Sequence, residues 1–415
     1  MLASLRRTTP LAAALALCAP ALAAPPEYTI IDIGIVNVGD SGSQGFACSP
    51  GGVAVGRSLG GSGSSAYSWT QGGGRVDLPN LASPARAYGV SNSANDSGIV
   101  VGTGSATFFG SNPLPIMWNN GVVSQLPLPA GQTLGRANGV NASGVAVGSV
   151  NGGSLERACL YAEGIGTVIT TTTSNGSFMT TAYGINDSGL VVGNGIDPNN
   201  AAVNVGMVYN SVADTATTVG ALPGRNGALC FAVSNAGHVT GSSMLNQGSG
   251  TPFVWTQAGG IVEIPLPPDA TTGSGRGVNS DGWVVGNAGG VFAVPFLYDG
   301  TSTYAIADLL PADATDWDLN MNTSSSAQGI SEDGIIIGTG VHNGEVRAYA
   351  LIPVAGGCNG ADLAEPFGQL DFSDVVAFLV AFGNMEAAAD LAEPFGQWDF
   401  SDVVTFLTEF GSGCP

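Results

Sequence analysis

The chain has 415 residues, of which 44% are hydrophobic and only 10% are charged, and 64 of them are glycine. Its ten basic residues are all arginine and stand against 31 acids, which gives a formal charge of −21. This balance excludes proteins that bind a nucleic-acid backbone, because such binding needs clustered cations. Many glycines, few charges and enough apolar residues for large cores favour an all-β protein.

Residues 1–23 have the pattern of a secretory signal peptide. Arg6 and Arg7 precede an apolar stretch, and the segment Ala21-Leu22-Ala23 places the cleavage before Ala24. The letters LALC at 15–18 leave a lipoprotein signal as an alternative. No later stretch reaches the roughly 18 apolar residues that a membrane-spanning helix needs. We therefore predict a secreted or cell-surface protein with no transmembrane segment after signal cleavage.

A glycine-containing motif recurs seven times at intervals of 45 to 52 residues. The copies are GFACSPGGVAVG (45–56), AYGVSNSANDSGIVVG (87–102), ANGVNASGVAVG (137–148), AYGINDSGLVVG (182–193), CFAVSNAGHVTG (230–241), GRGVNSDGWVVG (275–286) and AQGISEDGIIIG (327–338). In the fourth copy, Asn186 and the inner Gly189 are typical of a tight turn, and the final Gly193 indicates a strand end or close backbones. The motif is thus interpreted as a structural hairpin and not as a phosphate-binding loop.

Each motif is followed by a short strand-like run that usually ends in an aromatic residue, and six copies then add a further strand-like run. Four short strands per unit are typical of a β-propeller blade. The seventh copy lacks its fourth strand, whereas an unpaired run, YTIIDIG at 28–34, precedes the first copy. We therefore predict a mainly β fold, a seven-bladed propeller over residues 27–354 that the N-terminal strand closes.

These copies resemble the bacterial HAF-type extracellular repeats, whose pattern is small-x-Gly-Ile-Asn-x-x-Gly-x-Val-Val-Gly followed by an Ala-Phe-aliphatic-Trp strand. The resemblance covers about residues 27–354. It implies an exported, propeller-like repeat protein and no particular reaction.

After a linker at 355–360, a second repeat fills residues 361–415. ADLAEPFGQLDFSDVVAFLVAFGN (361–384) returns as ADLAEPFGQWDFSDVVTFLTEFGS (389–412). Ser373 and Ser401 suit a helix N-cap, and Gly383 and Gly411 suit the helix end. In the first helix the spacing predicts one apolar stripe, formed by Val375, Phe378, Leu379 and Phe382. Two such helices can pack face to face.

Aspartates precede both predicted helices at spacings that suit a calcium loop, because Ca²⁺ takes six to eight oxygen ligands around a turn. The candidate metal ligands are Asp362, Asp371, Asp374, Asp390, Asp399 and Asp402. Ala364 and Pro366 stand where ligands are usual, so the alternative is that the acids only cap the helices and solvate the surface. Cys358 and Cys414 bracket the module and are predicted to form a disulfide that staples this small domain.

This duplicated loop and helix, with its GC and GCP ends, resembles GC-type dockerin-like domains over residues 357–415. The resemblance implies docking on a cohesin-like or cell-envelope protein, with Ca²⁺ as a possible cofactor.

No catalytic constellation stands out, since the chain has only His238 and His342, no lysine, no nucleophile elbow and no zinc spacing. The sequence therefore favours a non-enzymatic exported protein that displays a propeller through its C-terminal module. Its propeller face would take a glycan or protein ligand. The alternative is an extracellular carbohydrate-active enzyme, a polysaccharide hydrolase or lyase with a docking tail.

Overall fold

The computed structural model describes residues 26–413 except 62, 108–109, 154, 290–292, 313, 321, 355–358, 365–369 and 393–395. The predicted signal peptide, most of the predicted linker, and both Cys358 and Cys414 with their predicted disulfide lie outside the described residues. None of the described helices is both long and apolar enough to cross a bilayer.

The fold is mainly β and consists of small antiparallel sheets, one for each copy of the long repeat. One strand, β1 (Tyr28–Asp32), precedes the first copy. The first three copies form β2 (Gly42–Cys48), β3 (Ala54–Gly60), β4 (Gly63–Thr70), β5 (Gly74–Leu78), β6 (Tyr88–Ala94), β7 (Ile99–Ser105), β8 (Leu114–Asn119), β9 (Val122–Gln125), β10 (Leu134–Val140), β11 (Ala146–Asn151), β12 (Arg157–Ala162) and β13 (Ile165–Val168).

The next three copies repeat this pattern as β14 (Phe178–Ile185), β15 (Leu190–Ile196), β16 (Asn204–Asn210), β17 (Thr215–Thr218), β18 (Gly227–Val233), β19 (Val239–Met244), β20 (Gly250–Thr256), β21 (Gly260–Glu263), β22 (Gly273–Val278), β23 (Val284–Gly289), β24 (Ala293–Tyr298) and β25 (Thr303–Ala305). A 3₁₀ turn, Ile306–Leu309, follows. The last copy contains β26 (Trp317–Asp318), β27 (Ser326–Ile330), β28 (Ile336–His342) and β29 (Glu345–Pro353).

Within each of the first six copies the strands pair in chain order, and a single parallel contact between β4 and β6 joins the first two sheets. In the last copy the order is β27, β28, β29 and then β1, which pairs antiparallel with β29 from Tyr28↔Pro353 to Asp32↔Tyr349. The chain thus supplies the outer strand of its last sheet from its N-terminal side.

The first and last sheets also pack against each other. The Ser43 hydroxyl accepts the Ala348 N–H at 3.0 Å, and the Thr339 hydroxyl accepts the Gly45 N–H at 3.2 Å. One core cluster combines Tyr67 of the first sheet with Ile337 of the last, both fully buried. The predicted mainly β fold, with several small sheets in a propeller-like arrangement, is confirmed.

The glycines of the motif behave as their positions predict. The inner glycine has a positive φ in every copy, for example +81° at Gly189. A Cβ on the final glycine would lie 1.8 to 2.2 Å from a carbonyl oxygen of the preceding strand in each copy, which no real side chain tolerates. The turn and the close backbone approach are therefore both confirmed.

The C-terminal repeat forms two helices, α1 (Phe372–Gly383) and α2 (Phe400–Ser412). They pack face to face as predicted, with the Phe378 and Phe406 rings stacked at 4.1 Å between centroids. Leu379 is 62% exposed, so the prediction that it belongs to the apolar stripe is wrong. A second 3₁₀ turn, Ala387–Ala389, lies between the helices.

The predicted helix caps also need correction. Asp371 and Asp399 are the N-caps, and not Ser373 and Ser401. A capping box selects them, because the Asp374 carboxylate accepts the Asp371 N–H at 2.8 Å and the Asp402 carboxylate repeats this contact. The helix ends are shifted by one or two residues, since the C-caps are Asn384 and Gly413.

Candidate functional site

The first strand of every repeat contains a β-bulge at one equivalent position. At each bulge the strand pairing skips a single residue, so that its side chain leaves the regular alternation. The skipped residues, which we call the bulge ring, are Phe46, Asn92, Asn138, Tyr183, Phe231, Arg276 and Gln328.

The final glycine of the motif explains the bulge. In the fourth repeat a Cβ on Gly193 would lie 2.0 Å from the carbonyl oxygen of Thr181, which stands two residues before the bulged Tyr183. Only glycine leaves room for this irregular backbone. The repeat motif therefore places one side chain per repeat at the same point of the fold.

All members of the bulge ring line one cavity of about 380 Å³. The first strand of each repeat contributes residues to the lining of this cavity. The cavity therefore lies where the first strands of all the repeats meet. Asn92 and Asn138 also donate hydrogen bonds to Ala137 O and Ala182 O of the next repeat, at 2.8 and 2.9 Å. These two amides therefore support the wall, while the other ring members differ in chemistry from repeat to repeat.

Phe231 lies between a phenol and a guanidinium. Its ring meets that of Tyr183 edge to face, with centroids 5.6 Å apart, and Arg276 Cζ lies 4.3 Å from its centroid. An aromatic face with polar groups on both sides is typical of a small-molecule site. This trio is the best-defined chemical group in the cavity.

Tyr183 is held in its protonated form. Burial is the main cause that raises its pKa, and the negative charge of Glu156 adds to it. A hydrogen bond with Asn194 and the positive charges of Arg276 and Arg136 oppose this rise without cancelling it. The phenol can thus donate a hydrogen bond at neutral pH.

Arg276 carries a charge that the described residues do not balance. Burial lowers the pKa of its guanidinium, and its Nε is buried with no hydrogen-bond partner. No described carboxylate forms an ion pair with it, whereas Arg75 pairs with Asp77 at 2.9 Å and Arg347 lies 3.8 Å from Asp32. Arg276 is therefore a half-buried cation in the wall of the cavity.

Three acids lie at the mouth of the cavity, and each holds the turns of adjacent repeats together. Asp96 accepts the Gly51 N–H at 2.9 Å, Asp187 accepts the Ala142 N–H at 2.8 Å, and Glu332 accepts the Ser280 N–H at 2.8 Å. These carboxylates are engaged in structure.

A second cavity of about 370 Å³ shares Phe46, Asn92 and Asn138 with the first. Arg57 and Arg136 also line it. The second cavity therefore lies next to the bulge ring and adds two cations to its surroundings.

The predicted metal ligands do not form one cluster among the described residues, where no group of three or more potential ligands was found. Asp374 and Asp402 are buried and each accepts backbone N–H groups from three residues, at 2.7 to 2.9 Å. Burial would raise their pKa values, but these hydrogen bonds together lower them. Both therefore act as loop and helix caps.

The other predicted ligands have different surroundings. Asp371 and Asp399 are the helix N-caps, and Asp362 is 5% exposed. Asp390 accepts the Gly396 N–H through Oδ2, while its Oδ1 is buried without a hydrogen-bond partner among the described residues. The central parts of both loops, 365–369 and 393–395, lie outside the described residues, so calcium binding remains a prediction.

Reasoning from the sequence missed the bulge ring, although a signal was present. In six copies one large or polar residue stands between two small ones and changes from copy to copy, as in Ala-Tyr183-Gly and Gly-Arg276-Gly. A variable position inside a constant motif is the pattern of a scaffold that presents different side chains at one place.

No family model matches the chain, and no curated protein matches it. Solved structures with a similar fold include a streptogramin B lyase, at 15% identity and a TM-score of 0.47 over 78% of this chain and 98% of that chain. An oligogalacturonate lyase from Vibrio parahaemolyticus has 10% identity and a TM-score of 0.49 over 81% and 94%. A prolyl endopeptidase has 9% identity and a TM-score of 0.47 over 79% and 50%.

These neighbours are enzymes, and this corrects the prediction of a non-enzymatic display protein. At such identities a similar fold does not establish an activity, so an assignment for this chain depends on its own residues.

Proposed function

We propose that the chain is a seven-bladed β-propeller and an extracellular carbohydrate-active enzyme whose substrate site is the cavity at the bulge ring. The observation that carries this proposal is the bulge that each repeat places at the same position, with a different side chain. Bulges are enriched next to active sites because they re-aim side chains. Here they direct two phenylalanines, a phenol, amides and a guanidinium into one cavity.

This combination suits a sugar chain. Phe46 and Phe231 offer apolar faces for sugar rings, and Gln328 offers an amide for hydroxyl groups. Tyr183, which lines the cavity, is the candidate to donate a proton to a glycosidic oxygen as that oxygen leaves. The three mouth acids, in contrast, are engaged with the turns, so we favour a lyase over a two-carboxylate hydrolase.

The test is a polysaccharide panel that contains neutral and acidic chains, with product release followed by mass spectrometry. Tyr183→Phe should lower kcat on the active substrate by about 10²- to 10⁴-fold, the usual contribution of a general acid. Tyr209→Phe is the matched control, since its hydroxyl bonds to the exposed Asp214 at 3.2 Å and Tyr209 does not line the cavity. Absence of cleavage on the whole panel, or full activity in Tyr183→Phe, would overturn the proposal.

We further propose that the protein is exported and docks on a cohesin-like protein of the cell envelope through α1 and α2. The support is a matched pair of exposed apolar side chains, Phe372 at 78% and Phe400 at 77% exposure, on helices whose other faces pack together. The double variant Phe372→Asp/Phe400→Asp should abolish capture of a purified cohesin module by the full chain. Val212→Asp, which changes an exposed valine in the propeller, should leave capture intact.

Calcium binding is proposed for the second loop of the C-terminal module. Its support is the buried Asp390 Oδ1, which has no described hydrogen-bond donor and is the hard oxygen that Ca²⁺ prefers. Titration calorimetry of the full chain with CaCl₂ should show binding that Asp390→Asn removes and Glu386→Gln retains. Equal heats for Asp390→Asn and the unchanged chain would exclude this loop.

A further inference from the structure

Arg276 points to the chemical class of the substrate. We propose that its guanidinium forms a subsite for the carboxylate of a uronic-acid residue, so that the cavity takes an acidic polysaccharide. The assignment of a reaction to this subsite rests on the proposed function. The binding of an acidic sugar by Arg276 does not depend on it.

The first argument is the unbalanced charge. A half-buried cation that forms no ion pair with a described carboxylate is stabilised by an opposite charge, and a ligand carboxylate would supply that charge. Guanidinium and carboxylate match as two parallel N–H···O bonds. Arg276 Cζ lies 4.3 Å from the Phe231 ring centroid, and this contact with the ring face uses none of the N–H donors of the guanidinium.

The second argument is the distribution of charge around the cavity. The whole chain carries −21, yet the bulge ring contains a cation and no acid. Arg136, which lines the adjacent second cavity, adds a second positive charge. The mouth acids Asp96, Asp187 and Glu332 accept hydrogen bonds from neighbouring turns. Within the bulge ring, Arg276 is therefore the group with which an anionic sugar would pair.

The test measures binding and cleavage separately on the full chain. Calorimetric titrations use oligogalacturonate, a sulfated oligosaccharide and a neutral cello-oligosaccharide of equal length. We expect oligogalacturonate to bind at least about tenfold more tightly than the neutral sugar, and Arg276→Gln to lose about tenfold or more of that affinity. Arg276→Lys should retain part of it. Arg75→Gln removes the same charge from an outer strand and is the control.

Each outcome has a definite meaning. Equal affinity for the acidic and neutral sugars, or unchanged oligogalacturonate binding in Arg276→Gln, would overturn the subsite. Tighter binding of the sulfated sugar would overturn its assignment to a carboxylate. Binding that depends on Arg276 without any cleavage would leave the subsite standing and reject the proposed enzyme. Cleavage of neutral sugars without oligogalacturonate binding would reject the subsite and leave the proposed enzyme standing.

Discussion

At the residue scale, the final glycine of the motif is the clearest case in which one atom decides a local structure. Gly193→Ala would place a Cβ 2.0 Å from Thr181 O, so the strand pairing at the Tyr183 bulge must shift. We expect the free energy of unfolding to fall by about 1–3 kcal/mol, the usual cost of overpacking. Urea unfolding followed by tryptophan fluorescence measures it. Gly72→Ala, where nothing lies within 4 Å, should leave stability nearly unchanged, and equal losses in both variants would contradict this account.

Asn186 shows how one side chain serves both its own turn and the next repeat. Its Oδ1 accepts the Leu190 N–H at 2.9 Å, and its Nδ2 donates to Ser234 O of the next repeat, also at 2.9 Å. Asn186→Asp keeps the acceptor but sets a carboxylate against a carbonyl in a buried place. It should lower unfolding free energy by about 1–3 kcal/mol.

Asn186→Ser is the matched variant, because serine occupies this position in other copies, as at Ser234. It keeps an acceptor for the turn and loses only the contact between repeats, so thermal unfolding should rank it between the natural chain and Asn186→Asp. A serine variant less stable than the aspartate variant would contradict this account, because both variants lose the contact between repeats and only aspartate adds a charge beside the carbonyl.

At the element scale, the caps of α1 predict a dependence on pH. Backbone hydrogen bonds lower the pKa of Asp374 in the folded chain despite its burial. The contribution of Asp374 to the free energy of unfolding is therefore fully present above the pKa that this carboxyl has in the unfolded chain. It is lost as the pH falls through the lower pKa of the folded chain. Asp374→Asn should speed hydrogen exchange of 372–383 at neutral pH, equivalent to about 0.5–2 kcal/mol for a lost cap. The difference should shrink in acid.

Glu386→Gln removes an equal charge from an exposed position and is the control for Asp374→Asn. Its exchange in α1 should match that of the natural chain at every pH. If Asp374→Asn and the natural chain differed by the same amount in acid and at neutral pH, the effect would be one of packing and not of the charged cap.

The same helix shows what can be predicted from a sequence and what cannot. The spacing of Phe378 and Phe382 predicts a helix with an apolar face, and this is found. Ser373 and Asp371 are both good N-caps, however, and only the contact from Asp374 back to Asp371 decides between them. The same limit applies to the strands. Turn glycines such as Gly189 can be predicted from the sequence. A bulge is a shift of pairing between two strands, and the alternation of residues within one strand does not reveal it.

At the scale of the whole molecule, the N-terminal strand makes the last sheet complete, and a histidine holds it there. His342 on β28 contacts Asp32 of β1 through Nδ1 at 2.9 Å and Asp316 through Nε2 at 2.8 Å. Trp317 stacks on the imidazole, and Arg347 lies 3.8 Å from Asp32. The distance along the chain from Asp32 to His342 makes this contact invisible to any local pattern. It joins the two ends of the repeat array.

This contact predicts how stability depends on pH near neutrality. Burial lowers the pKa of His342, but the hydrogen bonds and charges of Asp32 and Asp316 outweigh it, so the folded pKa is raised above 6.5. The stabilisation by the charged imidazole is thus fully present below the unfolded pKa and is lost as the pH rises through the folded value. We expect the Tm of the full chain to fall over that interval.

His342→Gln should lower the Tm in mild acid and flatten this dependence on pH, because glutamine can bond to one carboxylate but cannot gain a charge. His238→Gln is the control, since that side chain lies in the fifth repeat, away from β1. Hydrogen exchange of 28–32 should quicken in His342→Gln at low pH and approach that of the natural chain at high pH. The contradicting result is hydrogen exchange of β1 in the natural chain that changes with pH only as much as the intrinsic exchange rate does. In that case the pairing of β1 with β29 alone would hold β1 in the last sheet, and His342 would have no part in it.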